Sequence, residues 1–286
     1  MEVDFINITI VGLGLIGGSI AKSLSKNKKY KIYAIDTNKN TIEKAYKDMV
    51  IHNNVVEETN LLEKSDVTII CLYPNDAIEF IKKNMKNFKS NSIITDTCGL
   101  KTKILSSIKN IIRRDITFIG GHPMAGRELN GYDNSYAKLF DGSNYILVNT
   151  EGSESRTHEL IEIISDIGNI NIVISKSSNH DNMVAYTSHL PHILACALSK
   201  SPYNYKAISN FSGGSFKDSI RVGDINSMLW TDLILDNKEN LIDSIEMFEE
   251  NLRGIKSIIK NGNRNELMDT LNESKKNVKL IKGERM

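Results

Sequence analysis

Ile8-Thr9-Ile10-Val11-Gly12-Leu13-Gly14-Leu15-Ile16-Gly17-Gly18 is the stretch that decides the fold. Its first four residues read as a buried strand, its glycines at G-x-G-x-x-G spacing as a tight turn, and Ile16, Ile20 and Leu24 as the apolar face of a following helix. Gly12 permits the turn, Gly14 lets backbone approach a pyrophosphate, and Gly17 lets the helix pack close to the strand. The turn and helix start, with Leu13, Leu15 and Ile16 between the glycines, present N–H groups and positive dipole to an anion. A second strand over residues 31–35 ends at Asp36, 19 residues beyond Gly17, where a carboxylate can bind the ribose hydroxyls of an adenosine. A 2'-phosphate would meet a like charge there, and Thr37 and Asn38 bring no arginine, so these residues point to NAD rather than NADP. The competing reading makes Asp36 a cap for the helix that starts near Asn38.

Outward from this turn, short β-rich runs at 7–11, 31–35, 67–72, 92–95, 116–119, 145–148 and 170–174 alternate with amphipathic segments. Buried strands alternating with helices predict a doubly wound, mostly parallel sheet of Rossmann type over residues 1–174. The strand signal then stops, and residues 175–286 read as an all-α domain. Leu241, Ile245, Phe248, Leu252, Ile255 and Ile259 are spaced 4-3-4-3-4, an apolar seam on one long helix. Acidic residues lead its first half and Arg253, Lys256 and Lys260 its second, as the helix dipole favours. Gly262 should stop it, and Asn263 with Glu266 should cap the next helix, whose stripe is Leu267, Leu271, Val278 and Ile281. Such seams either pack within the chain or against a second copy; the expectation is a homodimer.

Lys+Arg of 36 against Asp+Glu of 35 gives a formal charge of +1, which offers no bias toward nucleic acid or an anionic membrane. Cys71, Cys98 and Cys196 are dispersed and odd in number, suiting reduced thiols rather than a disulfide framework or zinc site. With Glu2 and Asp4 at the start and no apolar run of about 20 residues, the expectation is a cytoplasmic protein without a membrane span.

Four polar clusters fall where such a fold gathers ligands or in the helical half. They are Asp96-Thr97-Cys98-Gly99-Leu100-Lys101, Gly120-Gly121-His122-Pro123-Met124-Ala125-Gly126-Arg127-Glu128, Ser188-His189-Leu190-Pro191-His192, and Gly213-Gly214-Ser215-Phe216-Lys217-Asp218 with Arg221. A histidine between Gly-Gly and Pro at a strand end cannot easily be a core residue, and its small neighbours allow close backbone and ligand approach; the plain alternative is a loop histidine bonding a carbonyl. Pro74, just past the third strand, shapes the loop near the nicotinamide or is an ordinary loop breaker. His189 and His192 lack a nearby third ligand, so no metal is expected, and His52, His158 and His180 read as ordinary solvated or packed histidines.

GGHPMAG, SHLPH and GGSFKD with its following arginine, in this order behind GLGLIGGS, resemble the signature of prephenate and arogenate dehydrogenases over nearly the whole chain. The resemblance implies NAD-dependent oxidative decarboxylation of a cyclohexadienol, with prephenate favoured and arogenate the rival. It assigns the hydroxyl proton to His122 and a substrate carboxylate to Arg221. In the same analogy Glu128 and Asp218 pair with Arg221 and gate the site, Ser188 and His192 contact substrate, and Gly213 and Gly214 let main chain line the pocket. The family pattern often has a serine at Gly99, where its hydroxyl supports the catalytic histidine near the nicotinamide; this chain departs from it. Some members of that family append a regulatory ACT domain, and neither that nor a chorismate-mutase-like helical domain is expected in this chain. A β-hydroxyacid dehydrogenase and a non-catalytic NAD sensor are more remote alternatives.

Overall fold

The computed structural model describes residues 5–54, 59–127, 129–150, 153–200 and 204–283. The first part runs β1 (Ile6–Val11), α1 (Leu15–Leu24), β2 (Tyr30–Ile35), α2 (Lys39–Lys47), β3 (Val67–Ile70), α3 (Pro74–Asn84), β4 (Ile93–Asp96), α4 (Thr102–Lys109), β5 (Thr117–Pro123), β6 (Asn144–Asn149), α5 (Glu154–Ser165) and β7 (Asn171–Ser175). Strand order is β2-β1-β3-β4-β5-β6-β7, a seven-stranded sheet. Side chains alternate across it: Ile69 and Ile93 face α1, α2 and α5, while Ile70 and Ile94 face α3 and α4. Burial on both faces leaves every residue of β3 and β4 buried, with no alternating solvent-facing positions.

The pairing from β2 through β5 is parallel, but β6 runs antiparallel to β5, and β7 runs parallel to β6. The reversal has a local cause. Parallel neighbours need a crossover, usually a helix; α5 supplies one between β6 and β7, whereas the only helical turn described between β5 and β6 is the short one at Tyr132–Asn134. Two strand ends also differ from expectation. β3 stops at Ile70, and β5 continues to Pro123, so His122 lies on a strand, opposite Ile146.

The helical part contains α6 (Ser177–Val184), α7 (Leu190–Ser199), α8 (Tyr205–Phe211), α9 (Gly214–Arg221), α10 (Ser227–Asp236), α11 (Lys238–Asn261) and α12 (Arg264–Ile281). α11 ends at Gly262 with φ +65°, the left-handed geometry that stops a helix without a Cβ penalty. Asn263 then caps α12, accepting the Glu266 N–H at 3.2 Å and donating to the Glu266 carboxylate at 2.8 Å. The apolar seam of α11 is divided. Leu241, Ile245 and Phe248 pack with Ala185 and Leu190, whereas Leu252 and Ile259 are 51% and 60% exposed in the single chain. The α12 stripe is also open at Leu271, Val278 and Ile281. Among the described residues no helix is long and apolar enough to cross a membrane.

Candidate functional site

The glycine turn joins β1 to α1 at the carboxyl end of the parallel strands. Gly12 has φ +89°, and a Cβ on it would lie 2.6 Å from the Cys71 carbonyl oxygen. A Cβ on Gly17 would lie 1.9 Å from the Gly12 oxygen, so the helix can approach the strand only as glycine. Gly14 is the opposite case: nothing lies within 4 Å of where its Cβ would stand. No side chain caps α1 there, so the first N–H groups at Leu15 and Ile16 have no capping group. Open space over an uncapped helix start fits the phosphates of a dinucleotide.

Asp36 follows β2 and binds the same turn, accepting the Leu13 N–H at 2.7 Å on Oδ2 and the Asn38 N–H at 2.8 Å on Oδ1. The Leu13 N–H is therefore committed to Asp36. Asn38 itself caps α2 by accepting from Asn40 and Thr41, which removes the reading of Asp36 as that helix's cap. Pro74 is the first residue of α3, just past β3. Gly99 follows β4, and a Cβ there would meet Leu233 of α10 at 3.4 Å, placing this turn beneath the helical part.

His122 lies three residues beyond Ile119, which pairs with Thr95 near the end of β4. A fully buried ion pair between Asp96 and Lys101 pins this corner. Asp96 also accepts the N–H groups of Cys98 at 2.9 Å and Gly121 at 3.1 Å, and the Lys101 ammonium donates to the Gly121 carbonyl at 2.6 Å. Loss of hydration pushes the partly buried His122 imidazole well below its usual range, and the positive charge of Lys101 adds to this. The ring is thus neutral at physiological pH, the form a proton acceptor needs.

One neighbour of His122 was missed from sequence. His180, on α6 and 2% exposed, places Nε2 2.9 Å from His122 Nδ1, and its own Nδ1 lies 2.7 Å from Asp181 Oδ1. Asp181 also accepts the backbone N–H groups of Lys101 and Thr102, each at 2.8 Å. Burial raises the Asp181 carboxyl, but the bonds from His180, Thr102 and Lys101 outweigh it and leave the pKa lowered. The only sequence signal was the adjacency of His180 and Asp181 eight residues before Ser188.

Between α6 and α7 the chain makes a π-helical turn, Ala185–His189, a widening that changes which side chains share a face. Ser188 and His189 sit on it. His192, in the first turn of α7, has its Nδ1 2.7 Å from the Ser188 carbonyl and stacks on Trp230 at 3.8 Å. His189 meets the same indole edge-on at 5.7 Å. Burial, with the His192 ring nearby, lowers the His189 pKa to about 4. Trp230, the sole tryptophan, was also missed, because one aromatic on a helix reads as core. Gly213 and Gly214 begin α9, and Asp218 and Arg221 lie three residues apart on it, all four exposed. α9 packs against α7, the helix that carries His192. Glu128 lies outside the described residues.

Comparison with known proteins follows the same two parts. Residues 20–173 match the family model of the prephenate dehydrogenase nucleotide-binding domain, and residues 176–273 match that of its dimerization domain. The chain is 29% identical over 252 residues to the prephenate dehydrogenase of Lactococcus lactis subsp. cremoris, covering 86% of this chain and 69% of that protein. The prephenate dehydrogenase of A. aeolicus, solved with hydroxyphenyl propionate and NAD+, superposes with a TM-score of 0.87 at 30% identity, covering 98% of this chain and all of that one. The Synechocystis arogenate dehydrogenase gives a TM-score of 0.84 at 26% identity, covering 96% and 100%. With both parts matched in order across nearly the whole length, the chain belongs to the prephenate dehydrogenase family.

Proposed function

We propose that this protein is an NAD-dependent prephenate dehydrogenase, converting prephenate to 4-hydroxyphenylpyruvate and CO2, with residues 1–174 holding the dinucleotide and 175–286 completing the substrate site and forming a homodimer. The observation that carries the reading is His122: a neutral imidazole on a strand end, beside the edge that carries the glycine turn. NAD supplies a hydride acceptor when bound; Gly12, Gly14 and Gly17 shape its cradle, Leu13, Leu15 and Ile16 complete the turn, and Asp36 selects the unphosphorylated ribose. Pro74 and Gly99 border the nicotinamide end.

His122 takes the proton of the C4 hydroxyl as its hydrogen leaves as hydride. The bond to the ring carboxylate then breaks, its electron pair aromatises the ring, and the phenolate oxygen can recover the proton. Arg221 holds a substrate carboxylate through paired N–H donors, with Asp218 and Glu128 as acidic companions. Ser188, His192, Gly213 and Gly214 line the helical side of the substrate. Steady-state assays with prephenate or arogenate, each with NAD or NADP, test this directly. Prephenate with NAD is expected to give the largest kcat/KM; a preference for arogenate would reassign the substrate, and no turnover with either would overturn the function.

A further inference from the structure

We propose that His180 is a positioning residue for His122: anchored by Asp181, it accepts the His122 Nδ1–H and so leaves Nε2 of His122 as the free base. This rests on the proton-accepting role of His122 given above. The direction of each bond follows from its donors. The Lys101 and Thr102 N–H groups can only donate, so Asp181 receives them as an ionised, acceptor-only carboxylate. Its Oδ1 then leaves His180 Nδ1 no role but donor, at 2.7 Å. A neutral imidazole that donates from Nδ1 accepts at Nε2. The His122 Nδ1 facing that nitrogen at 2.9 Å must therefore carry the hydrogen. One tautomer of His122 remains, with its Nε2 lone pair directed away from the pair.

Two further observations support this chain of bonds. His180 has a fully buried side chain, so bulk water does not compete for His122 Nδ1. A side chain at Gly99 would point at Leu233, whereas His122 Nδ1 meets His180 of α6. The carboxylate holding His180 is fixed at the start of α4, and the Asp181 carbonyl accepts from the buried Asn237 side chain at 2.9 Å. The relay thus spans both parts of the chain. The charged and titratable groups around His122 are Lys101, His180, Asp181 and His189.

The test reads both tautomer and rate in the full-length protein. Nitrogen-15 NMR of the imidazoles at pH 7.5, with the His122 signals assigned by their loss in His122→Asn, is expected to show hydrogen on Nδ1 and none on Nε2. A His122 that carries its hydrogen on Nε2 in the unsubstituted protein overturns the proposal, and this arm needs neither a variant at His180 nor catalysis. In His180→Leu the hydrogen should redistribute toward Nε2, and kcat should fall about 30- to 1,000-fold, while KM for substrate changes less than about threefold. His180→Gln, whose amide oxygen can still accept from His122, should recover kcat to within about tenfold of the unsubstituted enzyme. Equal loss in the Leu and Gln variants, or an unchanged kcat in Leu, means that His180 only packs. If the unsubstituted protein turns over neither prephenate nor arogenate, the functional reading fails, and the tautomer measurement still decides the positioning.

Discussion

The two parts of this chain solve the burial problem differently. The sheet part closes its own core, with Ile8, Ile10, Ile32 and Ile69 at 0% exposure and helices on both faces. Among the described residues the helical part has only a small cluster at Ala185, Leu190 and Leu241, and α8, α9, α10 and α12 bury no residue fully. A doubly wound sheet is covered by its own crossovers, so it is complete as one chain. Long helices joined end to end, such as α11 and α12, have no such closure, and their outer apolar positions await another surface. The match of residues 176–273 to a dimerization domain gives that surface a second copy of the chain as its expected cover. The His122–His180 contact, the corner proposed for catalysis, lies at the boundary, where α6 of the open part meets β5 of the closed one.

Substitutions can break or sharpen this contrast, and the largest effect should come from the chemistry. His122→Asn is expected to lower kcat by about 10²- to 10⁴-fold with NAD affinity retained, measured by steady-state rates and cofactor titration. An unchanged kcat would remove the closed part's strand end from the reaction. Next in size, Ile10→Ala should cost about 2–5 kcal/mol of unfolding free energy by denaturant titration, without altering assembly. Leu252→Glu combined with Ile259→Glu should do the reverse, giving a monomer by light scattering while the sheet's core remains intact. A dimer that persists would assign the open seam to some other use. Asp36→Asn keeps an oxygen for the Leu13 N–H but loses the charge, and should reduce the NAD-over-NADP preference about tenfold.

The smallest effect concerns pH. An unfolded histidine takes a proton near pH 6.5, whereas His189 in the fold stays neutral down to about 4. The unfolded chain therefore binds more protons in that window, and the stability His189 contributes is complete above about pH 6.5 and lost as pH falls toward 4. His122 acts in the same direction. Denaturation midpoints should decline from pH 7 to 5, and less steeply in His189→Gln; an equal decline in both would place the sensitivity elsewhere.

Much of the fold was legible because its signals are local. All seven strands lie where β-rich runs were expected, because short runs of β-branched and aromatic residues between helical segments mark strands whether central or, like the half-open β7, at the edge. Gly262 and Asn263 announced the end of one helix and the start of the next, as caps depend on neighbours only a few residues away. The reversed direction of β6 was not legible, because apolar runs carry no sign of strand direction and the clue was a missing helix. The continuation of β5 to Pro123 was also hidden, since Gly-Gly-His-Pro reads as a loop until β6 pairs with it.

The candidate site divides on the same line. By itself the sequence determined the glycine turn, the acidic residue after the second strand and the order of the polar motifs, because each rests on short spacing and a side chain's own chemistry. Only the tertiary structure decided that the Asp36 carboxylate takes the Leu13 N–H, that Lys101 and Asp96 bury each other beside His122, and that His180 stands against that imidazole. Those are contacts between residues up to 58 positions apart. Burial, charge and hydrogen-bond partners there are properties of what the fold brings together, so a histidine that reads as ordinary packing in the sequence becomes the buried neighbour of His122, the base proposed above.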